Sequence, residues 1–237
     1  MVEIFKNSEY KILQDNLKPT LYSIEFNESS CELINSIKET KQLNSFTTTS
    51  DHMYFTFKAT SVKTFNKFLS DVYSVRGSKK LKYNCILKII YGLSKQLQYL
   101  IQNKKAFYIY TLNNIFVIDD NKFIYLSNDH LMSINTNDQI TFYYPFDQNL
   151  DFLSPELMKM KELPSNVHYK NIYYSLGCLI IFCIKGDLEF VLDEKYGDKT
   201  IDELLESELE EIKGTKIYYF LQRCLIKQPI KRCLILI

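Results

Sequence analysis

Glycine is missing from the first 76 residues of this chain. Of six glycines in 237 residues, the first is Gly77. Loops that cradle phosphate use glycine so that backbone amides can approach oxygens with no Cβ between them. A glycine-rich phosphate loop is therefore excluded from everything ahead of residue 77. Alanine is scarcer still, at Ala59 and Ala106 alone, while Asn, Lys, Ile and Tyr abound. That bias points to AT-rich coding and concerns origin rather than chemistry. None of the six cysteines (Cys31, Cys85, Cys178, Cys183, Cys224, Cys233) forms a C-x-x-C pair, and with three histidines no zinc-ligand spacing appears. His52, His130 and His168 have no motif-like Ser or Cys partner for nucleophilic catalysis.

Charge of one sign is also lacking. Lys and Arg number 29, Asp and Glu 28, for a formal net charge of +1. No global field recruits nucleic acid or an acidic membrane, and Lys79, Lys80 and Lys82 read as a solvated turn. Met1–Asn7 lacks the apolar core of a secretory leader. The longest apolar run, Leu176–Ile184, is about half the length a spanning helix needs. Most cysteines lie in apolar runs, where a free thiol acts as a small hydrophobe. The expectation is a reduced, intracellular protein, cytoplasmic or nuclear, off the membrane; the sequon at Asn27 is then read as chance.

What is present is an ordinary globular balance, 46% hydrophobic and 24% charged. Thr20–Phe26 and Met53–Lys58 alternate like strands. Between them Ser30–Leu43 reads as a helix, with Ser29 and Glu32 as a capping box. From Tyr83 to Gln102 apolar residues recur at three-four spacing, at Ile86, Ile90, Leu93, Leu97 and Leu100, which predicts a core-facing helix. Strand-like runs follow at Ala106–Tyr110, Ile115–Ile118 and Phe123–Leu126, the last two joined by Asp119, Asp120 and Asn121. Asn128–Leu153 reads as polar and irregular. Ser154-Pro155-Glu156 opens a short helix, Tyr173–Ile184 a fully buried one, Ile201–Ile212 an acidic one and Tyr218–Ile226 the last, closed by Pro229. The order predicts an α+β fold.

From residue 83 to 232 this order resembles the large lobe of a eukaryotic-type protein kinase. Phe107-Tyr108-Ile109-Tyr110-Thr111-Leu112-Asn113-Asn114 stands where the catalytic loop H-R-D-L-x-x-x-N belongs, and Phe123–Leu131 where a strand runs into D-F-G. Ser154-Pro155-Glu156 resembles A-P-E, and Ile172–Cys178 resembles D-x-W-S-x-G. Arg223–Arg232 resembles the closing segment, whose arginine pairs with the A-P-E glutamate. The resemblance implies a two-lobed fold, with a reduced strand-rich N-lobe over 1–60 and a mainly helical C-lobe over 61–237. In front, Tyr22–Glu25 matches V-A-I-K, Glu32 the helix glutamate and Lys58–Thr60 the hinge.

On that alignment the chemistry is gone. Ile109 takes the catalytic Asp position and can neither accept a proton nor orient a hydroxyl. Tyr108 replaces the arginine that reads an activation-loop phosphate. Glu25 takes the lysine position, where a carboxylate repels phosphate. Lys11 and Lys18 are read as solvated. Asn114 with Asp129 is the one plausible metal pair, in a register that leaves either Asn128 or Asp129 at the metal position. The competing reading, which we favour, has both closing turns. Glu156 and Arg232 are expected as a structural ion pair. No cofactor is expected. The implied protein is catalytically inactive and acts as a regulatory or binding module for a protein partner, an active kinase or its substrate, through the acidic helix Ile201–Ile212 or through Asn135–Leu150 with Phe142, Tyr143, Tyr144 and Phe146. The alternative is a divergent active serine/threonine kinase using ATP, magnesium and Asp129. A third reading is a structural protein without kinase ancestry, which a structure lacking two lobes, or one holding Glu156 far from Arg232, would support.

Overall fold

The computed structural model describes residues 1–77, 80–186 and 209–235. Alternating residues near the N-terminus build an antiparallel sheet from β1 (Val2–Lys6), β2 (Tyr10–Gln14), β3 (Leu21–Phe26), β4 (Asn44–Thr48) and β5 (Tyr54–Lys58), in the order β1-β2-β3-β5-β4. The β2–β3 register sets Tyr10 opposite Phe26 and Ile12 opposite Ile24, all buried. Lys11 opposite Glu25 falls on the other face, because successive side chains alternate. Helix α1 (Cys31–Glu39) lies between β3 and β4 in sequence and buries Leu33, Ile34 and Ile37. It is shorter than the expected Ser30–Leu43. Ser30, not Ser29, is its N-cap, and no side chain closes that end. Ser29 instead donates to the carbonyl of Asp51 at 3.0 Å, and Glu32 is exposed, 4.0 Å from the Lys105 ammonium.

Strand pairing changes partner after β5. Strand β6 (Val62–Thr64) joins β8 (Ile115–Ile118) and β9 (Lys122–Tyr125) in a separate three-stranded sheet. Asp119, in the β8–β9 turn, fixes the crossing segment: its Oδ1 accepts from the Thr60 amide at 2.6 Å and the Thr60 hydroxyl at 2.8 Å. Helix α2 (Phe65–Arg76) follows, which the sequence reading does not place. Phe65, Phe68 and Leu69 are buried and Val72 and Tyr73 pack against the same core, a three-four spacing that the sequence does carry and that the expectations passed over. Gly77 ends it with φ +65, a left-handed conformation that glycine adopts without Cβ strain.

Helix α3 (Tyr83–Gln102) has its expected bounds and buries Ile86, Ile89, Ile90, Leu93, Leu97 and Leu100. The stretch read as irregular holds β10 (Leu131–Ser133), paired with β7 (Lys105–Phe107), and β11 (Gln139–Phe142), paired with β12 (Ser165–His168). Both pairings join distant segments, so neither leaves a local hairpin signature. Helix α4 (Pro155–Met158) is short, α5 (Asn171–Lys185) is buried nearly all round, and α6 (Lys216–Cys224) packs on α5. Gly177 permits that contact, since a Cβ there would lie 2.7 Å from Leu225 Cδ2. The chain is thus a mixed α+β protein with an antiparallel sheet. The expected acidic helix lies mostly outside the described residues; its last residues, Glu210–Ile212, form a short 3-10 turn. Among the described residues, no helix is long and apolar enough to cross a membrane.

Candidate functional site

The front sheet meets the rest of the molecule where the β1–β2 turn reaches the segment after β9. Asn7 shapes the turn: its Oδ1 accepts from the amides of Glu9 and Tyr10, each at 2.9 Å, as short polar side chains do in tight turns. Asn27 steadies it, donating its amide to the Glu9 carbonyl at 2.9 Å. The turn directs Glu9 across the gap. The Glu9 carboxylate accepts from the Ser127 hydroxyl at 3.0 Å, from the Asp129 amide at 3.1 Å and from the Asn128 amide. The Asn128 side chain donates to the Ser30 hydroxyl at the head of α1. Burial pushes the Glu9 carboxyl above its usual range and the nearby Asp129 charge adds to this, while the two amides and Ser127 oppose it.

Tyr10, next along the chain, fills the space beside this contact. Its ring lies 6.0 Å from Phe5, 5.8 Å from Phe26 and 5.9 Å from Phe116 of β8. Its hydroxyl donates to Asn114 Oδ1 at 3.3 Å. Burial, with the Glu9 charge second, drives the phenol far above its ordinary value, so it stays a neutral donor. A pocket of about 170 Å³ remains at the edge of these rings, lined by Ile4, Phe5, Val62, Lys63, Lys67 and Phe116.

Asn114, one half of the possible metal pair, is therefore engaged by Tyr10, and Asp129, the other half, is exposed beside Glu9. Among the described residues no group of three or more His, Cys, Asp or Glu could hold a metal ion. Ile109 is wholly buried. Tyr108 packs edge-on against His130 at 5.2 Å and Phe142 at 5.3 Å. The segment is hung from α5: Asn171 Nδ2 donates to the Tyr108 carbonyl at 2.6 Å, and the Tyr110 amide donates to Ser175 Oγ at 2.9 Å. His130 shares a hydrogen bond with the Tyr125 hydroxyl, and burial lowers its pKa to about 4.

Glu25, expected at the lysine position, does not face this site. Tyr10 and Phe26 share the face that meets Phe116, and Glu25 points the other way to pair with Lys11 at 2.7 Å. The inward positions of β3 are instead apolar, Ile24 and Phe26. Glu32 is likewise unpaired with β3, its nearest cation being Lys105.

A second polar cluster is built around Arg232. Arg232, fully buried, meets Glu156 through both guanidinium forks, with Nη2 to Oε2 at 2.9 Å. Its Nε donates to the Ile226 carbonyl at 2.7 Å, Nη2 reaches the Lys227 carbonyl at 3.3 Å and Nη1 the Lys170 carbonyl at 3.4 Å. The Tyr174 ring lies 5.0 Å from its central carbon. The four aromatics of 135–150 divide: Phe142 is buried and Phe146 packs against the core, while Tyr143 and Tyr144 are 68% and 81% exposed.

Glu9, Tyr10 and Asn171 are the residues the sequence reading misses. A lone acid at a hairpin tip reads as solvated, and Asn171 sits one position before the Ile172–Cys178 match. An Asn two residues ahead of an acid, between two alternating runs, is the one local hint of an aimed turn. No protein-family model and no curated protein matches the chain.

Proposed function

We propose that the chain is a protein-kinase-like protein that has lost phosphoryl transfer and acts as a binding or regulatory module. The observation that carries this reading is Tyr10. On the alignment above, Asn114 holds the loop position that would serve magnesium, and the space before it is where a nucleotide would lie. That space contains the rings of Phe5, Tyr10 and Phe116, and Asn114 accepts a hydrogen bond from Tyr10. Ile109, at the base position, is sealed in the core. Two contacts support the reading by supplying fastenings that such a domain would need: Glu156 meets Arg232, and α5 suspends the 108–110 segment.

Binding surface would then be what the module offers. Tyr143 and Tyr144 project beside buried Phe142, a pair of rings with polar tips suited to a protein partner. An active kinase or its substrate is the partner class this reading favours. Magnesium-ATP is expected to leave the thermal midpoint unchanged up to millimolar nucleotide. A magnesium-dependent rise, or phosphate transfer that disappears on Asp129→Asn, would sink the reading and favour the divergent active enzyme.

A further inference from the structure

Three donors converge on one point of the β9–β10 connection: the amides of Asn128 and Asp129 and the hydroxyl of Ser127. Consecutive amides in a turn form a concavity that suits an anion. Ser127 is itself oriented, because its oxygen accepts from the His130 amide at 3.2 Å. Asn128 is fixed by its side-chain bond to Ser30. The donors thus form a set on the β9–β10 connection, held by His130 from within it and by Ser30 at the head of α1, while the carboxylate they hold arrives from the β1–β2 hairpin tip.

We propose that Ser127–Asn128–Asp129 is a carboxylate-binding cradle, that Glu9 is its resident occupant, and that a carboxylate from outside the chain takes the same donors when Glu9 is withdrawn. The class of anion follows from charge. The Asp129 carboxylate flanks the cradle and acts on its occupant unfavourably. A singly charged, planar carboxylate meets less repulsion there than a phosphate carrying close to two charges, and its two oxygens match the way Glu9 Oε1 faces Ser127 while Oε2 faces the amides. Exchange has a mechanical basis too. Glu9 is held by hydrogen bonds to neutral donors on a turn of three residues, Asn7, Ser8 and Glu9, between β1 and β2. An acidic side chain of a bound partner segment is the natural external source. This site stands on the turn's geometry and is independent of whether the chain handles nucleotide.

The test opens the cradle and refills it. In Glu9→Ala at neutral pH, acetate at about 100 mM should raise the thermal midpoint by about 3–6 °C for a Kd of about 10 mM. Chloride at equal ionic strength should not, and phosphate should do less than acetate. The amide resonances of Asn128 and Asp129 should shift and saturate with acetate in the variant and stay fixed in the wild-type chain, where Glu9 is in place. Adding Ser127→Ala should weaken the acetate response. If Glu9→Ala does not fold, Glu9→Asp, one methylene too short to reach and unchanged in charge, takes the same titration. Equal responses to acetate and chloride, or unmoved amides, overturn the proposal. Phosphate outperforming acetate overturns the assignment of ligand class. Failure of the magnesium-ATP experiment would leave this result untouched, and the reverse also holds.

Discussion

Two glutamates bridge distant parts of this molecule, and they are solvated in different ways. Glu156 meets a full opposite charge: Arg232 is buried, bidentate and tied to three backbone carbonyls. Glu9 meets neutral donors, two amides and a hydroxyl, with a second carboxylate nearby. A buried ion pair holds hard because either partner alone is a stranded charge. A carboxylate held by neutral groups loses less when it leaves and can be protonated in place. The Glu156–Arg232 pair thus behaves as a fixed fastening, and the Glu9 carboxylate as a contact that can be undone.

The largest expected effect breaks the rear pair. Arg232→Ala should cost about 3–5 kcal/mol in denaturant unfolding, by leaving Glu156 and three carbonyls without their donor. Arg232→Lys should recover little, since an ammonium cannot reproduce the two-pronged contact. A loss below about 1 kcal/mol for Arg232→Ala would erase the contrast.

Next comes pH, which acts on the front contact through His130. Its folded pKa is depressed to about 4 from 6.5 by burial, with Asp129 opposing. Between those values the unfolded chain binds the proton that the folded chain refuses. Stability should therefore fall as pH drops from about 6.5 to 4, by at most about 3 kcal/mol. Thermal midpoints across that range should flatten in His130→Gln.

Glu9 titrates with the opposite sign. Its folded pKa is raised, so its contribution is greatest when protonated and declines as pH rises through that value. Glu9→Ala should cost about 1–2 kcal/mol at neutral pH, and the gap to the wild-type chain should widen on acidification. Both chains keep His130, so the difference between them isolates Glu9. A gap that narrows with acid would mean that the two amides and Ser127 outweigh burial, and that Glu9 is as firmly held as Glu156. The smallest effect is Tyr10→Phe, which removes one hydroxyl donor to Asn114 and keeps the ring; about 1 kcal/mol or less is expected in unfolding.

Most features with a local signal were legible in advance, α2 with its three-four apolar spacing being the exception. Helix α3 shows its period over twenty residues, the β8–β9 hairpin carries its turn residues Asp119–Asn121, and Ser154-Pro155-Glu156 announces α4. Features set by facing were not. Assigning Glu25 to the inward face of β3 needs a register right to one residue, and a slip of one reverses every side chain. The pairing of β11 with β12 joins segments more than twenty residues apart, with no hairpin turn to reveal it. Glu9 and Tyr10 gain their roles from contacts over a hundred residues away in sequence, which no window along the chain can register.

By itself, then, the sequence determined the class of fold and the absence of a glycine-rich loop ahead of Gly77, because composition, periodicity and turn chemistry act through neighbours in the chain. It also named Glu156 and Arg232 as partners, through the resemblance of the segments that carry them. The tertiary structure decided what fills the space between front sheet and body. There a carboxylate finds three converging donors and a phenol finds Asn114 only once β1, β2, β8 and β9 are packed, since burial and hydrogen-bond geometry belong to the folded arrangement and not to any one segment.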